Sequence, residues 1–168
     1  MRGMQWITAV TIVVASAGVQ AEPWQLGMRG LGPLRIGMTV RQVERRAGIV
    51  FDKTEPSARP GESCQDWSLP HHPGVSTMFI DGVLQRIDVM KPGVATAKGV
   101  TVGAPVARVM RAYPGIDIAP DAYDDRERYL TVMSPDRLSA LRFNTSAGKV
   151  SSFHAGRYKE VQLIEGCL

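Results

Sequence analysis

The sequence predicts an α+β fold built from two tandem copies of one unit, a short helix followed by an antiparallel three-stranded meander, with the helices on one face of the sheet. Three observations lead there. The stretch Arg35-Ile36-Gly37-Met38-Thr39-Val40-Arg41-Gln42-Val43 aligns with Thr101-Val102-Gly103-Ala104-Pro105-Val106-Ala107-Arg108-Val109, so Gly37 and Gly103 stand 66 positions apart. Strand-like apolar segments follow each copy. Asp81-Gly82 separates two of them, a strong hairpin signal because glycine tolerates the positive φ that a tight turn demands.

In chain order, residues 1–21 come first and read as a secretory signal peptide. Arg2 is the charged start, an apolar run extends from Trp6 to Ala17, and Val19 and Ala21 supply the small side chains before a cleavage site. The alternative is an N-terminal core helix. The run is shorter than the ~20 residues that cross a hydrocarbon core, so no membrane span is expected. No cysteine lies near the cleavage site, which excludes lipid attachment there. The remainder is expected to be a soluble periplasmic or secreted bacterial protein, divided into a first repeat, residues 22–94, and a second repeat with its tail, residues 95–168.

In the first repeat, Thr39 and Gln42 form a capping-box pattern and Gly48 suits a left-handed helix stop. Val40, Val43 and Ala47 then share one stripe. Strands are expected at residues 64–69, 75–80 and 83–90. Pro92-Gly93 marks a linker over residues 91–97. In the second repeat Pro105 takes the favoured first helical position, Val106, Val109, Met110 and Tyr113 make the stripe, and Pro114-Gly115 ends the helix. Strands are expected at residues 128–133, 138–143 and 149–155, with a last short strand at 161–164.

Composition narrows the function classes. The whole chain has 20 Lys and Arg against 16 Asp and Glu, a net charge of +4, and removing the signal takes one arginine away. The basic residues are dispersed among acids rather than clustered, which with export argues against a nucleic-acid partner. An apolar content of 44% is that of a globular chain. Cys64 and Cys167 are the two cysteines. In an oxidising compartment, a pair without metal-type spacing is most simply a disulfide, the alternatives being two free thiols or an intermolecular link. Closing a loop of about 100 residues would restrict the unfolded chain by roughly 4.7 kcal/mol.

Reactive constellations are thin. His71, His72 and His154 are too few and too scattered for a zinc site, and no metal or other cofactor is expected. There is no Gly-x-Ser-x-Gly motif. Asp121, Asp124, Asp125 and Glu127 lack calcium-loop spacing and alternate with Arg126 and Arg128, so they read as a solvated turn. Asp66, Asp81 and Asp88 leave a carboxylate pair for glycoside hydrolysis open, since separation cannot be read from sequence.

Strand alternation gives a surface instead. Val83, Gln85, Ile87 and Val89 are expected to face the helices, leaving Arg86 and Asp88 outward beside Leu84 and Met90. Arg142 and His154 point outward if Leu141, Phe143 and Phe153 are core. Trp67 and Tyr129 occupy equivalent first strands. Aromatic rings beside arginine suit a binding surface, with a core role for either ring as the alternative. The candidate binding residues are therefore Trp67, Arg86, Asp88, Tyr129, Arg142 and His154.

The motif Ile36-Gly37-Met38-Thr39-Val40-Arg41-Gln42-Val43 with Ala47-Gly48, together with Phe79-Ile80-Asp81-Gly82-Val83-Leu84-Gln85, resembles the tandem-repeat fold of the β-lactamase inhibitory protein and the small outer-membrane assembly lipoproteins (SmpA/OmlA, or BamE-like). The resemblance implies a binding surface on the sheet face and loops. The inhibitor staples each repeat locally and the lipoprotein is lipid-anchored; this sequence shares neither feature. The expectation is a binding protein for an envelope or secreted protein, an enzyme inhibitor or assembly accessory, rather than an enzyme. The alternative is a small cell-wall or carbohydrate-active hydrolase or saccharide-binding protein using Trp67 and Tyr129. On the first reading, Arg86→Ala with Arg142→Ala abolishes binding and leaves the fold intact.

Overall fold

A computed structural model describes residues 23–53 and 64–167. The signal-peptide segment, residues 1–21, lies outside the described residues. The chain is mostly β. In order the elements are β1 (Gln25–Gly27), β2 (Gly30–Leu31), β3 (Leu34–Arg35), α1 (Val40–Ala47), β4 (Cys64–Ser68), β5 (Val75–Ile80), β6 (Val83–Val89), β7 (Ala95–Thr96), α2 (Val106–Ala112), β8 (Asp117–Pro120), β9 (Arg128–Met133), β10 (Ser139–Ser146), β11 (Lys149–Arg157) and α3 (Tyr158–Val161).

The strands form two sheets, one of four in the order β3-β2-β1-β7 and one of seven in the order β4-β5-β6-β11-β10-β9-β8. This corrects the predicted α+β class: among the described residues there are eleven strands and three short helices, and a helix with a three-stranded meander does not describe either half. The four-stranded sheet escaped the sequence pattern because its strands are two or three residues long, too short for a period to register. Ala95–Thr96, placed in the expected linker, pairs in parallel with β1. β8 lies just before the acidic turn and extends the larger sheet. The strand expected at 161–164 is instead the end of α3 and a turn, the chain having left the sheet at Arg157.

Helix α1 forms for the local reasons read in the sequence, whereas in α2 Pro105, expected at the first helical position, is the extended residue just before it. Thr39 N donates to Gln42 Oε1 at 2.8 Å and Gln42 N to Thr39 Oγ1 at 3.4 Å, and Gly48 stops α1 at φ 67°. Arg45 and Arg46 sit in the last turn, where the helix dipole favours cations. Pro105 caps α2 without a side-chain bond, and Met110, expected in the buried stripe, is exposed while Val109 and Tyr113 are buried.

Each helix start docks on a hairpin. Gly37 N donates to Leu84 O, Leu84 N to Met38 O and Val40 N to Gly82 O. Gly103, Val150, Ala104, Val106 and Gly148 make the corresponding three bonds. The hairpin turns place Asp81 and Gly82 at φ 50° and 72°, and Ala147 and Gly148 at 50° and 73°. Each hairpin also carries a bulge: Met78 pairs with Arg86 and Phe79 with Leu84, leaving Gln85 extra, and Ser151 is extra between Val150 and Ser152.

The first bulge corrects the expected alternation in β6. An extra residue shifts the face by one, so Leu84 joins Ile87 and Val89 in the core, and Val83 and Gln85 do not. The core lies on the face covered by α1, α2 and the small sheet, and gathers Leu26, Leu31, Leu34, Val43, Phe51, Trp67, Phe79, Phe143 and Phe153 in one cluster. Fully burying each large apolar side chain contributes about 1.5–3 kcal/mol.

Candidate functional site

The opposite face of the seven-stranded sheet is polar, and register gives it an order that sequence alone could not. Ser68, Ser76, Asp88, His154, Arg142, Thr131 and Asp117 are successive cross-strand partners, one from each strand, forming a row across the whole sheet. Asp66, Met78, Arg86, Gly156, Ala140 and Met133 form the row beside it.

A strap made of residues 158–167 crosses this face. It starts at α3, packed on β6, β10 and β11, and ends at Cys167, bonded to Cys64 on the edge strand with Cα atoms 5.6 Å apart. The sulfurs sit in a small apolar cluster with Met78, Ile80 and Leu163. Cys167 N donates to Asp66 Oδ2 at 3.1 Å, and Tyr158 N to Leu138 O at 3.0 Å.

Residues of both rows grip the strap. Arg86 Nη1 donates to Glu160 O at 2.9 Å and Leu163 O at 2.8 Å, while its Nε donates to Asp88 Oδ2 at 2.9 Å. His154 Nε2 lies 3.0 Å from Val161 O; because a carbonyl only accepts, this nitrogen carries the proton. Its Nδ1 faces Asp88 Oδ1 at 3.8 Å. Arg142 Nε donates to Thr131 Oγ1 at 3.1 Å, its Nη2 donates to Gln162 Oε1, and its guanidinium lies 5.0 Å from the Tyr129 ring centre.

Burial sets the ionisation. It pushes His154 down to about 3, helped by the positive charges of Arg86 and Arg142 and opposed by the bond to Val161. It holds the Asp88 carboxyl above its ordinary range, although Arg86 pulls it back. It also lowers Arg142. Neutral His154 therefore sits between the Arg86–Asp88 ion pair and the Arg142 guanidinium.

Of the candidate residues, Arg86, Asp88, Arg142, His154 and Tyr129 come together. Trp67 does not. It packs on the core side, with ring centres 5.3 Å from Phe51 and 5.4 Å from Phe79, so a Trp67–Tyr129 platform for a sugar ring does not assemble. Arg86 and Arg142 face away from the core, as alternation requires, yet they are buried at 4% and 7% exposure rather than open to solvent. The covering strap is the reason. The expected double variant Arg86→Ala with Arg142→Ala would therefore remove strap contacts along with any binding surface.

Sequence reasoning missed Glu160, Gln162 and Asn144. Asn144 Nδ2 donates to Ser152 Oγ at 2.8 Å. A strap signal existed in Cys167 itself, since a cystine near the chain end must draw the preceding residues across whatever lies between. In the acidic loop Arg126 pairs with Asp124 at 2.7 Å, and Glu127 reaches the neighbouring hairpin, accepting from Thr145 Oγ1 and Ala147 N. Among the described residues, no three His, Cys, Asp or Glu side chains converge as metal ligands.

Two clefts remain open beside the strap, of about 220 and 260 Å³. They share Asn144, Ser152, His154 and Ile164. Tyr123 and Ile164 stand exposed at the first, Ile164 and Met90 at the second, at 71%, 48% and 53%. A larger depression of about 670 Å³ lies by the small sheet, but its two arginines are spoken for, Arg35 by Gly32 O and Leu34 O and Arg29 by Asp136.

No family model matches the chain, and no curated protein matches it. A solved structure, that of the uncharacterized protein YfeY from Escherichia coli, is similar with a TM-score of 0.54 at 13% identity, covering 79% of this chain and 99% of that one. At that identity the likeness concerns the fold alone.

Proposed function

We propose that the chain is an exported binding protein that engages an envelope or secreted protein through the strap side of its larger sheet. One observation carries this reading: Met90, Tyr123 and Ile164 stand exposed around two polar clefts in which Arg86, Arg142 and His154 are bonded to the strap. Exposed apolar side chains grouped around polar clefts suit recognition. Side chains committed to structural partners are poorly placed for turnover. The export part of the reading rests on residues 1–21 and is supported by the cystine, which persists in oxidising compartments. No helix among the described residues is long and apolar enough to cross a membrane. The resemblance to the inhibitor and assembly-lipoprotein fold adds a shared habit of protein engagement.

The test compares the oxidised protein lacking residues 1–21 with its Tyr123→Ala/Ile164→Ala variant, both immobilised and exposed to envelope extract. The proposal expects a saturable polypeptide partner retained by the first and lost by the second at unchanged thermal stability. Equal retention by both would place any partner elsewhere and sink this surface.

A further inference from the structure

We infer that residues 158–167 are a disulfide-retained strap occupying a row of hydrogen-bond donors in cis, and that opening Cys64–Cys167 frees the strap while the sheet beneath stays folded. The inference concerns the protein's own segment and stands whether or not the clefts bind a partner.

Four consecutive strap residues are read by three side chains of the sheet. Arg86 takes the carbonyls of Glu160 and Leu163, His154 that of Val161, and Arg142 the side chain of Gln162. This is how a bound peptide would be held, through backbone acceptors rather than side-chain packing. The seat is imperfect. Glu160 Oε2 and Gln162 Nε2 are buried without a hydrogen-bond partner among the described residues, and such atoms weaken the seat. Apart from Val161, which is fully buried, and Leu163 and Cys167 beside the cystine, the strap adds little apolar anchoring. Its upstream end is fixed by β11, so with the cystine intact it is tethered at both ends.

The covalent step is exchange with a dithiol. One of its thiolates attacks Cys167 Sγ, the Cys64–Cys167 bond breaks, and Cys64 leaves as a thiolate that takes up a proton. The second thiolate of the reagent then displaces Cys167, so the reagent is oxidised to a disulfide and two electrons and two protons pass to the protein. Cys64 is fully buried and Cys167 is 4% exposed, so attack follows fraying of the adjacent Ile164 and Glu165, both of which are exposed.

Amide exchange and histidine titration, read by NMR on the oxidised protein, the dithiothreitol-reduced protein and Cys64→Ser/Cys167→Ser, decide the matter. In the two opened forms the amides of Gln162, Leu163 and Cys167 should exchange about 100-fold faster than in the oxidised protein while those of β10 and β11 keep their protection. The His154 midpoint should rise from about 3 toward 6.5 as water reaches its ring. An unchanged strap and histidine in both opened forms would overturn the inference. So would loss of β10 and β11 protection in both, since the bond would then be a staple of the whole fold rather than of the strap.

Discussion

His154 on the larger sheet and Val161 in the C-terminal strap are joined through ring Nε2 and the carbonyl oxygen, 3.0 Å apart, with the ring buried. A histidine so placed is a reporter of the strap. Its folded pKa, about 3, lies below the 6.5 of the unfolded chain, so the unfolded state binds the proton first as pH falls. The stability this contributes is complete above pH 6.5 and is lost as pH falls toward 3. Asp88 acts in the opposite sense, since its raised carboxyl pKa lets the folded state take up a proton more readily and so offsets part of the acid loss. The His154 ring resonances of the oxidised protein should stay flat from pH 8 to pH 5. A titration midpoint near 6.5 would mean the ring is solvated and the strap undocked.

Gly156 lies opposite Arg86 in the pairing of β11 with β6. A Cβ there would fall 2.1 Å from Gln85 O and 2.8 Å from Arg86 Cα, both backbone atoms that cannot swing aside. Gly156→Ala should therefore push the two halves of the sheet apart and lower the unfolding free energy by about 2–3 kcal/mol in a urea titration. Gly82 has open space around it, so the contrast with Gly82→Ala isolates close approach from backbone conformation.

The Thr39 capping box tests how a sequence-level signal translates into stability. Thr39→Ala removes the hydroxyl that accepts from Gln42 N, while the backbone N–H of residue 39 still donates to Gln42 Oε1, and should cost about 1 kcal/mol. Helix α2 has Pro105 in the same place with no side-chain bond to lose, so Pro105→Ala should cost less. A Thr39→Ala protein as stable as the parent would mean docking of Val40 N on Gly82 O carries the helix start alone.

What was legible in the sequence was local. Thr39, Gln42 and Gly48 bound α1, and Asp81-Gly82 makes the hairpin turn, because each acts on its own backbone within four residues. What depended on distant pairing was not legible. The bulge at Gln85 moved Leu84 into the core, and nothing in the alternation of β6 announces an extra residue. Arg86, Asp88, Arg142 and His154 share the sheet face away from the core, which the sequence reading took as an open surface. Their cover is ten residues of chain end, delivered by the cystine, and a covering segment leaves no period in the strands it covers. Trp67 shows the other failure: an aromatic on a half-buried edge strand fits either face, and packing against Phe51 and Phe79 decided it.

Trp67 and Tyr129 therefore separate under substitution. Trp67→Ala opens a void between Phe51 and Phe79 in the main core and should cost about 3–5 kcal/mol of stability. Tyr129 lies over Arg142 on the strap face, and its hydroxyl accepts from Ala122 N at 3.2 Å, holding the loop that carries Tyr123. Tyr129→Phe keeps the ring over the guanidinium and removes the hydroxyl's bonds to the loop at Ala122 and Asp121, so its thermal midpoint should move little while partner retention falls. Should Tyr129→Phe instead unfold the protein as readily as Trp67→Ala, the hydroxyl would be a structural linchpin and the loop would have no separate part in recognition.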